Sequence, residues 1–544
     1  EAVVVGAGVI GVATAWLVTM CRFPGRRLLS VLLVLPFAMP GYVSAYAYTY
    51  LLQHPGPVQT ALRDVTGWGP RDYWFPDIRS VEGAGFVLMM VLYPYVYLLA
   101  RTAFMQQSAG AFEAARTLGS APWRAFRGVA MPLARPAIVA GLALVLMETL
   151  ADYGTVAHFG VETFTTAIYR TWFSMGDRVA AVQFALILVG LVLLVIGLER
   201  AGRGGRRFAD TRAGRPFTPL VLSGWRAAAA VAMCVAPVAL GFLVPALTLA
   251  GMGIAIDVDW LDRRTVALIG NTLTLAGVGA AVTVLVAVVI AYARRLSPGR
   301  FTTGLAHLST FGYAVPGAVI AVGLLIPLGA FDQWFHKLMV ATFGIPTGLL
   351  LTGTITAVVF AYVVRFLAVS LNGVEAGLAR IAPSLDGASR TLGAGPLRTF
   401  VRVHAPLLKG GLFTALLITF VDIMKELPAT LILRPFNFDT LAIRAYRLAS
   451  DERLEMASIP SLYIVAAGLI PVVCVGAAGG KRRPELLQNL FFEFRSALTK
   501  RGAFVPPLFV EPLAALPNEP IRAHNTQASR RLPPGPAGHG RFDQ

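Results

Sequence analysis

Charge is scarce in this chain: 14% of its 544 residues are Asp, Glu, Lys or Arg, while 56% are apolar and mean hydropathy is positive. That balance excludes an ordinary soluble domain, in which about a quarter of the residues are charged. Cysteine is scarcer still. Cys21, Cys234 and Cys474 lie in or at the ends of apolar segments, without metal-ligand spacing, and read as small core residues. The seven histidines are scattered, with no HExxH or paired spacing; His158 and His404 sit near membrane boundaries, where satisfied interfacial histidines are common. No GxxxxGK[ST] occurs: Gly479, Gly480 and Lys481 lack the leading Gly and the following Ser or Thr. No catalytic constellation appears, so the chain is not expected to be an enzyme, and any ATP must be hydrolysed elsewhere.

Acids are missing from one telling place. Gly6, Gly8 and Gly11 form a GxGxxG arrangement after a short Val run, as in dinucleotide-binding folds. That motif needs an acidic residue about 20 positions on to hold the ribose. The stretch there, SVLLVLPFAMPGYV, has none. A glycine-rich transmembrane helix packed closely on a neighbour explains the same residues.

What the chain has is long apolar runs. About 20 apolar residues cross about 30 Å of hydrocarbon, and such runs lie near 1–20, 28–52, 83–104, 136–157, 179–198, 225–250, 266–293, 304–329, 348–370, 410–432 and 459–478. These eleven runs predict an all-α polytopic membrane protein set in a lipid bilayer. The formal charge of +18 does not indicate nucleic acid, because the Arg residues cluster in short loops between runs.

Two loops are copies of one another. Adding 274 places Thr117, Leu118 and Gly119 of EAARTLGSAPWRAFRGVAMPLARP on Thr391, Leu392 and Gly393 of GASRTLGAGPLRTFVRVHAPLLKG, and Phe126, Val129 and Pro132 on Phe400, Val403 and Pro406. Each copy is amphipathic and basic, which predicts a short helix pair in water beside the membrane. Further matches, FPGR at 23–26 with SPGR at 297–300 and AMPG at 38–41 with AVPG at 314–317, extend the repeat. The run at 225–250 has no partner in the first half. Since the chain begins with Glu1, the expectation is that a helix precedes it and that the intact protein has twelve. The predicted organisation is a first transmembrane domain over 1–198, a cytoplasmic linker over 199–224, a second transmembrane domain over 225–480 and a disordered cytoplasmic tail over 481–544.

Basic residues orient the chain. Arg22, Arg26 and Arg27, those around the first repeated loop, Arg294, Arg295 and Arg300, and those of the second loop all fall on one side if the crossings alternate. The positive-inside rule makes that side cytoplasmic. The opposite loops, 53–82 and 433–458, mix their bases with acids, and Trp68, Tyr73 and Trp74 suit the outer interface.

Four acids follow the loops within apolar sequence: Glu148 and Asp152 in METLADYGTV, and Asp422 and Glu426 in VDIMKELPAT, again 274 apart. An ionised carboxylate at mid-bilayer costs roughly 2.5–3.5 kcal/mol. Spaced i and i+4, each pair projects from one helix face, and the faces are expected to meet between the halves and line a cation path, with Lys425 neutralising part of the charge. The competing reading makes these acids structural groups at helix ends, above all Asp152 and Glu426. The tyrosines at 42, 46, 48 and 50 and at 93, 95 and 97 have two readings, an aromatic belt, which is preferred, and a supply of phenol oxygens.

The repeated loop resembles the EAA loop of bacterial ABC importer permeases: Glu-Ala-Ala, three residues, Gly, nine residues, an apolar residue and a Pro three further on. The first copy keeps Glu113, Ala114, Ala115, Gly119, Val129 and Pro132; the second has Gly387, Ala388 and Ser389 at its head, with Asp386 one place early, but keeps Gly393, Val403 and Pro406. In that family the loop docks on a cytoplasmic ATPase. Longer stretches, GRRLLSVLLVLPFAMPGYV, YPYVYLLART and DIMKELPATLILRPFNFDTLAIRAY among them, resemble ferric-iron importer permeases with two fused halves. The resemblance implies a bacterial inner-membrane location, a cytoplasmic ATPase homodimer that uses ATP and Mg, and a periplasmic ferric-binding protein. It implies no cofactor on this chain and leaves any metal site unassigned. Thiamine or a polyamine is an alternative cargo. An ion-coupled secondary carrier is a rival class that the duplicated loop argues against, and a flavin or nicotinamide oxidoreductase would rest on the glycines at 6–11 alone.

Overall fold

A break near a proline, repeated in both halves, shapes this molecule. The computed structural model describes residues 1–106, 118, 122–203, 219–256, 258–297 and 299–478. In the first half α1 (Ala2–Met20) leads to α2 (Arg26–Leu32), a 3-10 turn (Leu35–Ala38) and α3 (Gly41–Leu52). Next come α4 (Pro57–Thr66), α5 (Val81–Gln106) and α6 (Met131–Ala151). The half closes with α7 (Gly154–His158), α8 (Phe164–Tyr169) and α9 (Arg178–Arg203). The second half opens with α10 (Trp225–Val238) and α11 (Val244–Ala255), joined through a π turn. It continues through α12 (Arg263–Leu296), α13 (Arg300–Phe311), α14 (Gly317–Phe343), α15 (Ile355–Leu378) and α16 (Ser384–Thr391). It ends with α17 (Ala405–Met424), α18 (Pro428–Leu433), α19 (Leu441–Ser450) and α20 (Leu454–Ala478).

Among the described residues ten helices are long and apolar enough to span a membrane, and an eleventh span exists if α2 through α4, bent by 91° at Met39–Pro40, is counted as one. Hydropathy and structure part at 304–329: the run is not one helix but α13, a break at 312–316, and α14. The reasons are local. Pro316 lacks a backbone N–H, and a Cβ on Gly312 would stand 1.8 Å from the Val364 carbonyl oxygen, so a neighbouring helix presses on the break.

The repeat is structural down to small elements. A π turn at Phe126–Ala130 precedes α6 and another at Phe400–His404 precedes α17, 274 residues apart, as are the starts of α5 and α15 and of α7 and α18. Helices α1, α5 and α6 pack mutually, as do α12, α15 and α17. The halves interlock, with α9 lying on α14, and α11 on α3.

The first-half triad explains the N-terminal glycines. A Cβ at Gly8 would meet Leu142 at 2.8 Å, and one at Gly11 would meet Val96 at 2.7 Å and the Tyr97 backbone N at 2.9 Å. These are close helix crossings, the packing use of small residues. The linker residues 204–218 and the tail 479–544, including the predicted disordered segment, lie outside the described residues.

The tyrosines form no belt. Tyr42, Tyr46, Tyr48, Tyr93 and Tyr97 are buried. Tyr93 donates to the Leu33 carbonyl at 2.9 Å and Tyr97 to that of Ser30 at 2.8 Å. These carbonyls, at the end of α2, have hydrogen-bonding capacity that the hydroxyls fill.

Candidate translocation cavity and coupling surface

Two helices stop inside the bundle. After α6 ends at Ala151, Asp152 is extended, with ψ 134°, and α7 begins at Gly154. Helix α17 ends at Met424, and α18 begins at Pro428. Short helices that start in apolar surroundings need acceptors for their first N–H groups. Asp152 supplies them for α7: its carboxylate accepts from Thr155 N at 3.1 Å, Val156 N at 3.1 Å and Thr155 Oγ1 at 3.0 Å. Glu426 does the same for α18, accepting from Ala429 N at 2.9 Å, Thr430 N at 3.0 Å and Thr430 Oγ1 at 2.6 Å. The i+3 and i+4 pattern of backbone donors is identical in the two halves, and carboxylates suit helix N-termini. Gly41 and Gly317 make room for these caps, since a Cβ would lie 2.7 Å from Thr155 Oγ1 in the first half and 2.8 Å from Glu426 Oε1 in the second.

All four acids line one cavity of about 160 Å³, together with Lys425 and Arg365. Its walls come from both halves, and Tyr42, Tyr95 and Tyr313 contribute to them. Asp152 and Glu426 are engaged as caps. Asp422 pairs with Lys425, Oδ1 to Nζ 2.9 Å. Lys425 also lies 4.6 Å from the centre of the Phe37 ring, and its carbonyl accepts from the Tyr42 hydroxyl at 3.4 Å. Glu148 shares the cavity wall with Tyr313, whose hydroxyl is 3.3 Å from that of Tyr95. Arg365 stacks over Phe366 at 5.7 Å, and its Nε has no hydrogen-bond partner. Four acids and two bases leave the cavity formally anionic. No group of three or more His, Cys, Asp or Glu side chains is arranged to hold a metal ion among the described residues.

Sequence spacing brought each acid pair to one helix face; the structure instead places Asp152 and Glu426 beyond their helix ends, yet keeps all four on the cavity. Arg365 and Tyr313 went unnoticed. A signal existed for the arginine, which interrupts the apolar run AYVVRFLAVS, and intramembrane charge is a functional signal by default. Tyr313 carried none, since its position depends on the break before α14.

At the basic end of the bundle the second repeated loop folds as α16 and a short helix, Pro396–Thr399. Gly393 takes φ 74°, a left-handed turn that glycine adopts without strain. Ser389 Oγ and Thr399 Oγ1, both buried, meet at 2.7 Å and tie the two helices. Gly387, Ala388 and Pro406 are exposed, as is Pro132 in the first turn of α6. Glu113, Ala114, Ala115 and Gly119 lie outside the described residues. The loop tips present apolar side chains at matched positions: Leu118 and Leu392 are each 86% exposed, and Trp123 and Leu397 are 64% and 76% exposed.

This membrane body is similar in sequence to known proteins. Residues 7–201 fit the family described as binding-protein-dependent transport system inner membrane component. A sulfate transport system permease protein of Escherichia coli is 32% identical over 210 residues, which are 37% of this chain and 72% of that one. The chain belongs to this family. It is a multi-pass permease of the bacterial inner membrane. A Fe(3+)-transport system permease protein of Haemophilus influenzae is 24% identical over 476 residues, 86% of each chain. A ferric transport system permease protein of Actinobacillus pleuropneumoniae is 25% identical over 464 residues, 81% of this chain and 64% of the other.

Proposed function

We propose that this permease is the membrane subunit of an ATP-driven importer whose cargo is ferric iron. A periplasmic binding protein delivers the cargo, and a cytoplasmic ATPase homodimer grips the two repeated loops. The observation that carries the ATPase coupling is the matched pair of exposed apolar tips, Leu118 and Leu392, on the basic end. A single exposed apolar residue is ordinary; what supports a partner here is the repetition at corresponding places of both halves, with Trp123 and Leu397 also exposed. Closure of the ATPase pair would move both loops and rock one half against the other around the cavity.

Iron is supported by the relatives that match over most of the chain and by the oxygen donors of the cavity, since a hard trivalent cation favours carboxylate and phenol oxygens. Arg365 and Lys425 favour a second reading, an oxyanion cargo, as the name of the sulfate relative suggests for that protein. Reconstitution with the ATPase and candidate binding proteins separates them. Ferric-loaded binding protein should stimulate ATP hydrolysis and drive uptake of labelled iron into vesicles. Stimulation by an oxyanion-loaded protein alone would assign the cargo to the second reading.

A further inference from the structure

The second loop lacks the acidic head of the first, and the structure shows what stands beside the gap. Asp386 leaves α16 towards the bundle. Its Oδ2 is 2.9 Å from both Nε and Nη2 of Arg295 at the end of α12. Its Oδ1 is 2.6 Å from Nε2 of His404, which is 1% exposed in the π turn that opens α17. The histidine contact is one of distance, without aligned N–H geometry. Arg295 also donates through Nη1 to the Leu378 carbonyl at 2.7 Å and through Nη2 to that of Ile381 at 3.0 Å, closing the end of α15. Tyr292, one turn earlier, donates to the Pro396 carbonyl at 2.8 Å within the loop itself. The carboxylate therefore joins the loop to α12 and to the turn that opens α17, and Arg295 carries the connection on to the end of α15.

The first half has none of these groups. Stepping back 274 residues from Tyr292, Arg295, Asp386 and His404 gives Val18, Cys21, Phe112 and Ala130. At matched positions these four residues are particular to the copy without a Glu-Ala-Ala head.

We propose that Asp386 is a positioning residue. Clamped between Arg295 and His404, it braces the second coupling loop against α12 and α17, so that a push on the loop moves those helices directly. The brace concerns this chain alone, while its consequence for transport rests on the ATP-driven reading above.

Two readouts test it on the full complex in vesicles, with Asp386→Asn, the conservative Asp386→Glu, and Glu375→Gln as a neighbouring control that removes the 2.7 Å pair with Arg294. The first readout is ATP hydrolysed per cargo transported. Asp386→Asn should raise it about tenfold, as expected for losing a charged hydrogen bond, Asp386→Glu should recover part of the loss, and Glu375→Gln should leave it near wild type. The second is the mobility of a spin label at Leu392→Cys, with the three native cysteines replaced; Asp386→Asn should free the label and Glu375→Gln should not. If Asp386→Asn does not fold, His404→Gln removes one partner and carries the same comparison. A wild-type complex that couples ATP to transport while Asp386→Asn matches it in both readouts overturns the brace. A wild-type complex that never couples overturns the ATP-driven reading instead, and label mobility then decides the brace by itself.

Discussion

Asp152 and Glu426 occupy the cavity wall yet spend their carboxylates on helix ends, whereas Glu148 lines it beside a tyrosine and Asp422 faces it through a lysine. The two kinds of acid should respond differently to neutralisation. Asp152→Asn or Glu426→Gln weakens a charged cap and is expected to cost about 1–2 kcal/mol of stability, seen as a lower unfolding midpoint in detergent. Glu148→Gln should leave that midpoint in place and lower transport. At the opposite end, Arg79 forms a two-pronged pair with Glu452, at 2.7 and 2.6 Å, that joins loops of the two halves. The hydrogen-bonded guanidinium holds the Glu452 carboxyl below the ordinary glutamate value. A depressed carboxyl stabilises the fold above its unfolded value, near 4.3, and loses that contribution as pH falls through its lower folded value. The pair is exposed and is worth under about 1 kcal/mol. The midpoint difference between wild type and Glu452→Gln should therefore be small at neutral pH, begin to shrink as pH falls below about 4.3, and vanish only below the lower folded value.

Interrupted helices are the elements that make the cavity, and they show what a sequence reveals. The spans, the repeat and the unpaired run at 225–250 were legible because apolar length and register are one-dimensional properties. The AMPG and AVPG matches were legible as markers of the repeat but not as the breaks they are, because hydropathy averages across a proline. The acid pairs announced the cavity, while their division into caps and free groups depended on where α6 and α17 stop. The tyrosines misled because composition does not distinguish a ring at the lipid interface from one whose hydroxyl closes a helix end. Glycine substitutions test the breaks. Gly317→Val would drive side-chain atoms into Glu426 Oε1, already 2.8 Å from the nearest added Cβ, and should abolish transport while the protein still inserts in the membrane. Gly11→Leu should separate α1 from α5 and lower the unfolding midpoint by several degrees, as for other overpacked contacts.

Across the whole molecule, two homologous halves share a cavity, interlock through α9 and α11, and present matched loop tips at the basic end. Under the proposed function, that arrangement would offer a separate ATPase one handle per half, as ATP-driven alternating access needs. The most direct test places single cysteines at Leu118 and Leu392 and seeks cross-links to the ATPase subunit in the assembled complex. Both positions should cross-link, with yields that change when ATP binds. Tips that label only from outside the cell, or that never cross-link to a nucleotide-hydrolysing subunit, would contradict the account.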